Sequence, residues 1–323
     1  FLTTVPHSER EHTQRKYIFG PVLSRRLGRS LGVDLVPFKV CTYDCIYCQL
    51  GPTTRKTIQR KEYVPLNGVL DELQSIISQD LVFDYITLAG SGEPTLHTGI
   101  GSFIRKAKKM TVQPVAVITN GSLLWDADVR RDLIDADVVI PSLDAGSYAL
   151  FQKVNRPHPA ISFDSMVEGL IAFRSEFTNK IWLEILLVHN ITDDNEEIKR
   201  LVDIVRNIRP DRVQLTTVTR PPTTGDAMPV PKNKLEEFAR IFGDHAEVIA
   251  AVPKSDTGTY GQVTSEKIIE LVRRHPCSID DIAAGLSAPV EEVRQQVEKL
   301  LQQNTLKTRN MDGVVMFLAE RSN

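Results

Sequence analysis

Short apolar runs and amphipathic stretches alternate along this chain with a regular beat. LGVDLVP (31–37), YITLAG (85–90), VAVITNG (115–121), DVVIPSLDA (137–145), IWLEILLV (181–188) and RVQLTTV (212–218) read as strands covered on both faces. Between them, NGVLDELQSIISQD, IGSFIRKAKK, WDADVRRDLIDA, SFDSMVEGLIAFRSEF and DNEEIKRLVDIVRNI place apolar residues at three- and four-residue spacing and read as helices. Strands linked by such helices run parallel, with right-handed crossovers. The fold class is therefore α/β, an open or closed barrel. Functional groups in such folds gather at the C-terminal ends of the strands, and three of these strands end in GSGEPT, TNGS and SLDAGS.

After Val218 the beat stops. TRPPTTGDAMPVPKNK is a Pro- and Thr-rich connection, followed by one helix, KLEEFARIF, and a short strand, AEVIAAVP. KSDTGTYGQVT reads as a linker into a separate module. That module shows helices SEKIIELVRRHP, SIDDIAAGL and APVEEVRQQVEKLLQQN, then a hairpin, TLKTRNMDGVVMFLA, turning at Asp312-Gly313. Ser278 and Asp281 give the second helix a capped start, and Pro289 sits near the start of the third. Three helices and a hairpin suggest a winged-helix domain. The division is a barrel domain with an N-terminal extension over 1–253, a linker over 254–263 and the small domain over 264–323.

With 323 residues and 41% apolar content, the chain buries a full-sized core and is neither disordered nor fibrous. No run approaches the ~18 apolar residues of a membrane span, and FLTTVPHSEREHTQRK lacks the order of a signal peptide, so a cytoplasmic protein is expected. The net charge of −2 conceals an asymmetry: residues 1–65 hold 11 Lys and Arg against 5 Asp and Glu. The excess gives SRRLGRS and TTRKTIQRK a potential polyanion-facing role, against the simpler reading of a solvated basic surface.

The chemistry lies in CTYDCIYCQL. Cys41, Cys45 and Cys48 stand together in a chain whose one other cysteine is Cys277. Four cysteines do not staple a chain this long, so the clustered three read as metal ligands. A zinc site completed by a histidine is one reading. Three thiolates fit a [4Fe–4S] cluster better, with one iron left open to a small molecule.

CTYDCIYC, with Tyr47 at its aromatic position, resembles the CxxxCxΦC motif of the radical S-adenosylmethionine (SAM) superfamily. GSGEP (90–94) resembles that superfamily's GGEP motif, SLDA its ribose-binding position, and TNG a common companion. The resemblance covers about residues 16–225 and implies a partial (β/α)6 barrel. It implies that Cys41, Cys45 and Cys48 hold one cluster, and that Tyr47 packs on the adenine of SAM. Gly92, Glu93 and Pro94 would meet the methionine amino group, Ser142 and Asp144 the ribose hydroxyls, with Asn120 lining the same pocket. The implied reaction passes one electron from the reduced cluster into the sulfonium and breaks the C5′–S bond to give a 5′-deoxyadenosyl radical, with flavodoxin or ferredoxin as reductant. Glu184, an acid inside an apolar run, is costly to bury unless paired, and is read as a pocket residue in preference to a sheet-edge charge.

The stretch FGPVLSRRLGRSLGVDLVPFKVCTYDCIYCQLG resembles a branch of uncharacterised iron–sulfur oxidoreductases grouped with the tRNA wyosine synthases. An RNA or other phosphate-bearing substrate fits the basic N-terminal segment, with Arg25, Arg26, Lys153, Asn155 and Arg156 as candidate contacts. The pattern departs in one place: residues 1–40 contain no cysteine for a second cluster, so a single-cluster enzyme is expected. Cys277 reads as a small buried apolar residue. The small domain holds 8 basic and 9 acidic residues, and Glu291 and Glu292 open its third helix where a duplex-reading helix meets phosphate. Two alternatives follow. One is an activase-type radical SAM enzyme whose protein or peptide substrate docks on the winged helix; the other, from a different class, is a zinc-stapled regulatory or adaptor protein.

Overall fold

The computed structural model describes residues 15–79, 81–249, 263–274, 276–286, 288–311 and 313–319. Most of the expected linker, the N-terminal stretch read for a signal sequence and Asp312 of the hairpin turn lie outside the described residues.

In chain order the elements are β1 (Ile18–Ser24), β2 (Gly28–Val33), β3 (Val40–Cys41), β4 (Arg55–Lys56), α1 (Leu66–Ile77), β5 (Tyr85–Leu88), α2 (Ile100–Met110), β6 (Val115–Thr119), α3 (Ala127–Leu133), β7 (Val138–Pro141), α4 (Tyr148–Val154), α5 (Phe163–Glu176), β8 (Lys180–Leu187), α6 (Asn195–Ile208), β9 (Arg212–Thr217), α7 (Lys232–Phe242) and β10 (Ala246–Val248). The main sheet runs β1-β2-β5-β6-β7-β8-β9-β10. Every neighbouring pair is parallel except the antiparallel β1–β2 hairpin at one edge. The six expected strands are β2, β5, β6, β7, β8 and β9, forming the partial barrel.

Strand alternation sorts the side chains into two faces. Along β8, Leu183, Ile185 and Leu187 join the large core under the helices. Trp182 instead joins Leu27, Ala116, Val138 and Ile140 in a small interior cluster, so Glu184 and Leu186, in step with Trp182, turn inward too. Arg212 lies over the Trp182 ring, 4.9 Å from its centroid. The layer around Trp182 is therefore mainly apolar, with one polar contact at its level: Ser30 and Thr87, the latter in register with Ala116, share a hydrogen bond of 2.5 Å.

Local chemistry sets the strand limits. LGVDLVP was expected to be extended to residue 37, but β2 stops at Val33. The Asp34 amide still donates to the Tyr17 carbonyl opposite it (2.8 Å), and its carboxylate takes the Ser91 amide (2.7 Å), tying the end of β2 to the turn after β5. DVVIPSLDA likewise ends early, because Pro141 lacks the amide that would continue β7. The expected pattern omits β1, whose GP pair breaks its alternation; the register shift between Phe19 and Val22 absorbs the break.

The C-terminal module contains α8 (Ser265–Arg274), α9 (Ile279–Leu286) and α10 (Val290–Gln302), then the antiparallel pair β11 (Leu306–Met311) and β12 (Val314–Ala319). Ser278 and Asp281 exchange amide bonds of 3.0 and 3.1 Å, a capping box that starts α9. Pro289 occupies the N-cap of α10. Cys277 is fully buried and bridges β12 through Phe317, with amide bonds of 3.1 and 2.7 Å. Helix α9 packs on β1, and Val22 of β1 joins the module's apolar core. Among the described residues no helix is long and apolar enough to cross a membrane.

Candidate functional site

The loop from β3 carries Cys41, Cys45 and Cys48 at the strand-end face of the barrel. Each thiol has a side-chain N–H directed at it. Lys39 Nζ stands 3.1 Å from Cys48 Sγ, Asn120 Nδ2 3.6 Å from Cys41 Sγ and Asn155 Nδ2 3.7 Å from Cys45 Sγ. Such donors stabilise sulfur that carries negative charge, as metal-bound thiolates do. Burial pushes the Cys41 thiol up to about 12, with Glu93 adding to the rise, and lifts Cys45 well above the ordinary thiol range, with Asp144 as its next cause. Metal must therefore displace protons from these thiols on binding. The donor set fits an iron–sulfur cluster.

Two buried carboxylates brace the loop. Glu93, 2% exposed, accepts on Oε1 from Thr119 Oγ1 (2.6 Å), Thr95 Oγ1 (2.7 Å) and the Thr95 amide (3.1 Å), and on Oε2 from the Asn120 amide (2.8 Å). It thereby joins the turn after β5 to the end of β6 and orients Asn120. Burial raises its pKa, opposed by those donors. Gly92 lets this turn approach: a Cβ there would stand 2.0 Å from the Val40 carbonyl oxygen. Gly90 takes φ +119°, which favours glycine, and Pro94 starts a buried 3-10 turn.

Asp144, 3% exposed, is the second brace. Its carboxylate accepts from the Tyr47 hydroxyl, from Asn155 Nδ2 (2.8 Å) and from the Leu186 amide (3.1 Å). Burial raises its pKa and that of Tyr47. Tyr47 thus has its hydroxyl on Asp144, while the residue packs against the cluster of Ile46, Val154 and Val188. Asn155, considered from sequence as a substrate contact, lies buried between Asp144 and Cys45. Ser142 bridges Glu184 where β7 leaves the sheet.

Glu184 has the partner that its burial requires. The Arg26 guanidinium reaches from the β1–β2 turn into the barrel and pairs with it, the two side chains 12% and 17% exposed. Arg25 donates to Thr219 Oγ1 (3.2 Å), just after β9. Burial lowers both arginines to about 10. Both candidate substrate contacts are thus largely buried, Arg26 against Glu184 and Arg25 against Thr219. Lys153 is exposed on α4, and Arg156, with φ +44°, follows it; the Arg156 carbonyl accepts from Lys56 Nζ at 3.1 Å.

Three further residues belong to this region. Lys39 stands in a left-handed turn at φ +58° two positions before Cys41. Arg220 donates to Gln49 Oε1 (2.9 Å) next to Cys48, and Met311 brings the hairpin end against the Tyr47 cluster. Proximity to the CxxxCxxC run was a signal for Lys39. Arg220 lay in TRPPTT, read as connection, and nothing in the pattern around Met311 marks it.

Three donor-backed thiols on a loop at the strand ends of a partial parallel barrel suit an iron–sulfur protein of the barrel class. The Radical SAM superfamily sequence model matches residues 35–202, and the chain belongs to that superfamily. It is accordingly a radical SAM enzyme, using a [4Fe–4S] cluster and SAM. The chain is 39% identical over 94% of its length to a GTPase Obg of Brachyspira hyodysenteriae, of which it spans 45%. It is 30% identical over 82% of its length to a UPF0026 protein of Helicobacter pylori strain J99, of which it spans 86%. Among solved structures, SuiB of Streptococcus suis bound to the precursor peptide SuiA aligns with a TM-score of 0.52 at 14% identity, over 67% of this chain and 48% of that one. That likeness is one of fold.

Proposed function

We propose that this enzyme modifies a phosphate-bearing substrate, with RNA as the reading that best suits its surface. When bound, the cluster supplies one electron to the sulfonium of SAM. The chain's own residues orient and enclose. Cys41, Cys45 and Cys48 hold the cluster while Lys39, Asn120 and Asn155 donate to their sulfurs. Gly92, Glu93 and Pro94 form the turn assigned to the methionine group; Asn120, Ser142 and Asp144 border the pocket assigned to adenosine, with Tyr47 against its adenine. A flavodoxin or ferredoxin supplies electrons, and a cytoplasmic setting keeps the thiols reduced.

The carrying observation is the rim around the cluster loop. Exposed Arg55 and Lys56 lie on β4, paired directly with the cluster strand β3, and Lys56 reaches across to Arg156 beside exposed Lys153. Such a rim attracts a phosphate backbone. The experiment is binding of bulk tRNA to the reconstituted enzyme across a salt series. Binding that weakens steeply with salt, with an Arg55→Ala/Lys56→Ala variant losing affinity and about two units of the log–log slope, supports RNA. A flat salt response rejects it. Exposed Glu291 and Glu292 at the start of α10 favour the second reading, in which the C-terminal module, as a winged helix, docks a protein or peptide substrate.

A further inference from the structure

Between the β1–β2 turn, the segment after β9 and the C-terminal module, three guanidiniums gather, and one of them, Arg26, is paired directly with a carboxylate. Arg26 pairs with Glu184 on β8, Arg25 donates to Thr219, and Arg220, the next residue, donates to Gln49 beside Cys48. Their hydrogen bonding is incomplete: Nε of Arg26 and Nε of Arg220 are buried without a partner among the described residues. So is Oε1 of Gln214, which lies next to Glu184 in the β8–β9 register and is 1% exposed. Buried N–H groups of this kind carry a desolvation penalty unless something meets them.

The charges are as unmatched as the donors. Arg220 lowers Arg25, and Asp281 of the C-terminal module opposes this more weakly than Arg220 acts. Asp281 is already engaged in the α9 capping box, through the Ser278 amide at 3.0 Å. Glu247 faces Arg26 but also accepts from Gln214 Nε2 at 3.0 Å. Of the three planar forks only Arg26 has a direct ion pair, so Arg25 and Arg220 keep charge that no carboxylate contacts directly among the described residues. Guanidinium forks match the two-oxygen edge of a carboxylate or a phosphate, and Gln214 Oε1 adds an acceptor for a hydroxyl or amide beside it.

We propose that Arg25, Arg26 and Arg220 form an oxyanion subsite that grips a carboxylate or phosphate on the part of the substrate that enters the barrel. The place suits the reaction. Arg220 stands on Gln49, one residue from a cluster cysteine, so a molecule anchored there lies next to the site where SAM is cleaved. The proposal rests on the proposed function above, and it adds the chemical group of the substrate that these residues would hold.

The test is calorimetric titration of the reconstituted holoenzyme with inorganic phosphate and, separately, with succinate, at constant chloride. Wild type should bind at least one of them saturably at one site, and the stronger arm identifies the oxyanion. Arg25→Gln and Arg220→Gln should each weaken binding tenfold or more. Arg105→Gln, which removes an exposed charge paired with Asp135, should not change it. Should either glutamine variant melt early, Arg25→Lys and Arg220→Lys retain the charge without the fork and should still weaken binding several-fold. Absence of binding by wild type to either anion, or equal binding by the arginine variants, overturns the subsite. SAM cleavage assayed on the same samples separates the two ideas: wild type that binds anion and leaves SAM intact removes the catalytic reading and leaves the subsite standing.

Discussion

Nζ of Lys39 lies 3.1 Å from Sγ of Cys48, delivered by a backbone turned left-handed at φ +58°. The turn is secured on both sides: the Lys39 amide donates to the Ser91 carbonyl (2.6 Å), and its carbonyl accepts from the Arg55 amide (3.2 Å) and Thr54 Oγ1 (3.2 Å). A side chain only 3% exposed is thus aimed at a cluster ligand by the segment that also connects to the GSGEP turn and to β4. Positioning a donor on a ligating sulfur is the means by which a protein sets a cluster's potential.

Lys39→Met should therefore make the cluster harder to reduce. Loss of one charged donor should lower the midpoint on the order of 60 mV, a tenfold change for one electron. An EPR-monitored redox titration of the reconstituted protein reads it, and Lys39→Arg should recover most of the shift. An unchanged midpoint would make Lys39 a purely structural residue.

The six parallel strands, the strand-end location of the site and the cysteine motif were legible because each is local: period, length and spacing lie within a few residues. The braces were not. Glu93 and Asp144 stood in recognisable motifs, yet their links to Thr119 and Tyr47 depend on which strand ends meet. Arg25 and Arg26 illustrate the limit best. Charge counting treats all cations as surface, whereas the hairpin β1–β2 turns these two under the sheet, and only the partner Glu184 on β8 makes the inward position tolerable. Met311 meets Tyr47's neighbours because a separate module folds back on the barrel, which no window of sequence contains.

The pH dependence of stability should carry the mark of Asp144. Burial raises its carboxyl above the ordinary range, and the Tyr47, Asn155 and Leu186 donors offset part of the rise. A carboxyl with a raised folded pKa holds its proton more tightly folded than unfolded. Its stabilising contribution is present at low pH and is lost as pH rises from about 4 through the raised value. Asp144→Asn removes the titration and should flatten that decline, measured as urea midpoints of the metal-free protein at about pH 5 and about pH 7. Identical pH slopes in the two proteins would show that Asp144 does not titrate in this window.

Met311→Asp should loosen the cover over the cluster loop. Met311 ends β11 and packs against the cluster of Ile46, Val188 and Val218, as Tyr47 does, so a carboxylate there must leave the apolar contact. Air bleaching of the cluster's visible absorption should be several-fold faster, with the global unfolding midpoint little altered, because local opening precedes unfolding. Bleaching at the wild-type rate would mean that the hairpin end does not shield the cluster.

The Arg26–Glu184 pair separates stability from function. Its side chains are 12% and 17% exposed, so desolvation cancels much of the attraction, and removal of one partner leaves the other charge uncompensated. Arg26→Met or Glu184→Met alone should cost about 3 kcal/mol, while the double variant, with two apolar side chains of similar volume above the Trp182 layer, should recover most of that loss. Denaturant unfolding of the four proteins gives the coupling directly. A pair retained only for stability would leave the double variant as active as wild type. Since Arg26 also contributes an unpartnered Nε to the proposed subsite, the double variant should instead be stable yet bind phosphate or succinate at least tenfold more weakly. Full recovery of both stability and anion binding would reduce Arg26 to a counter-ion for Glu184.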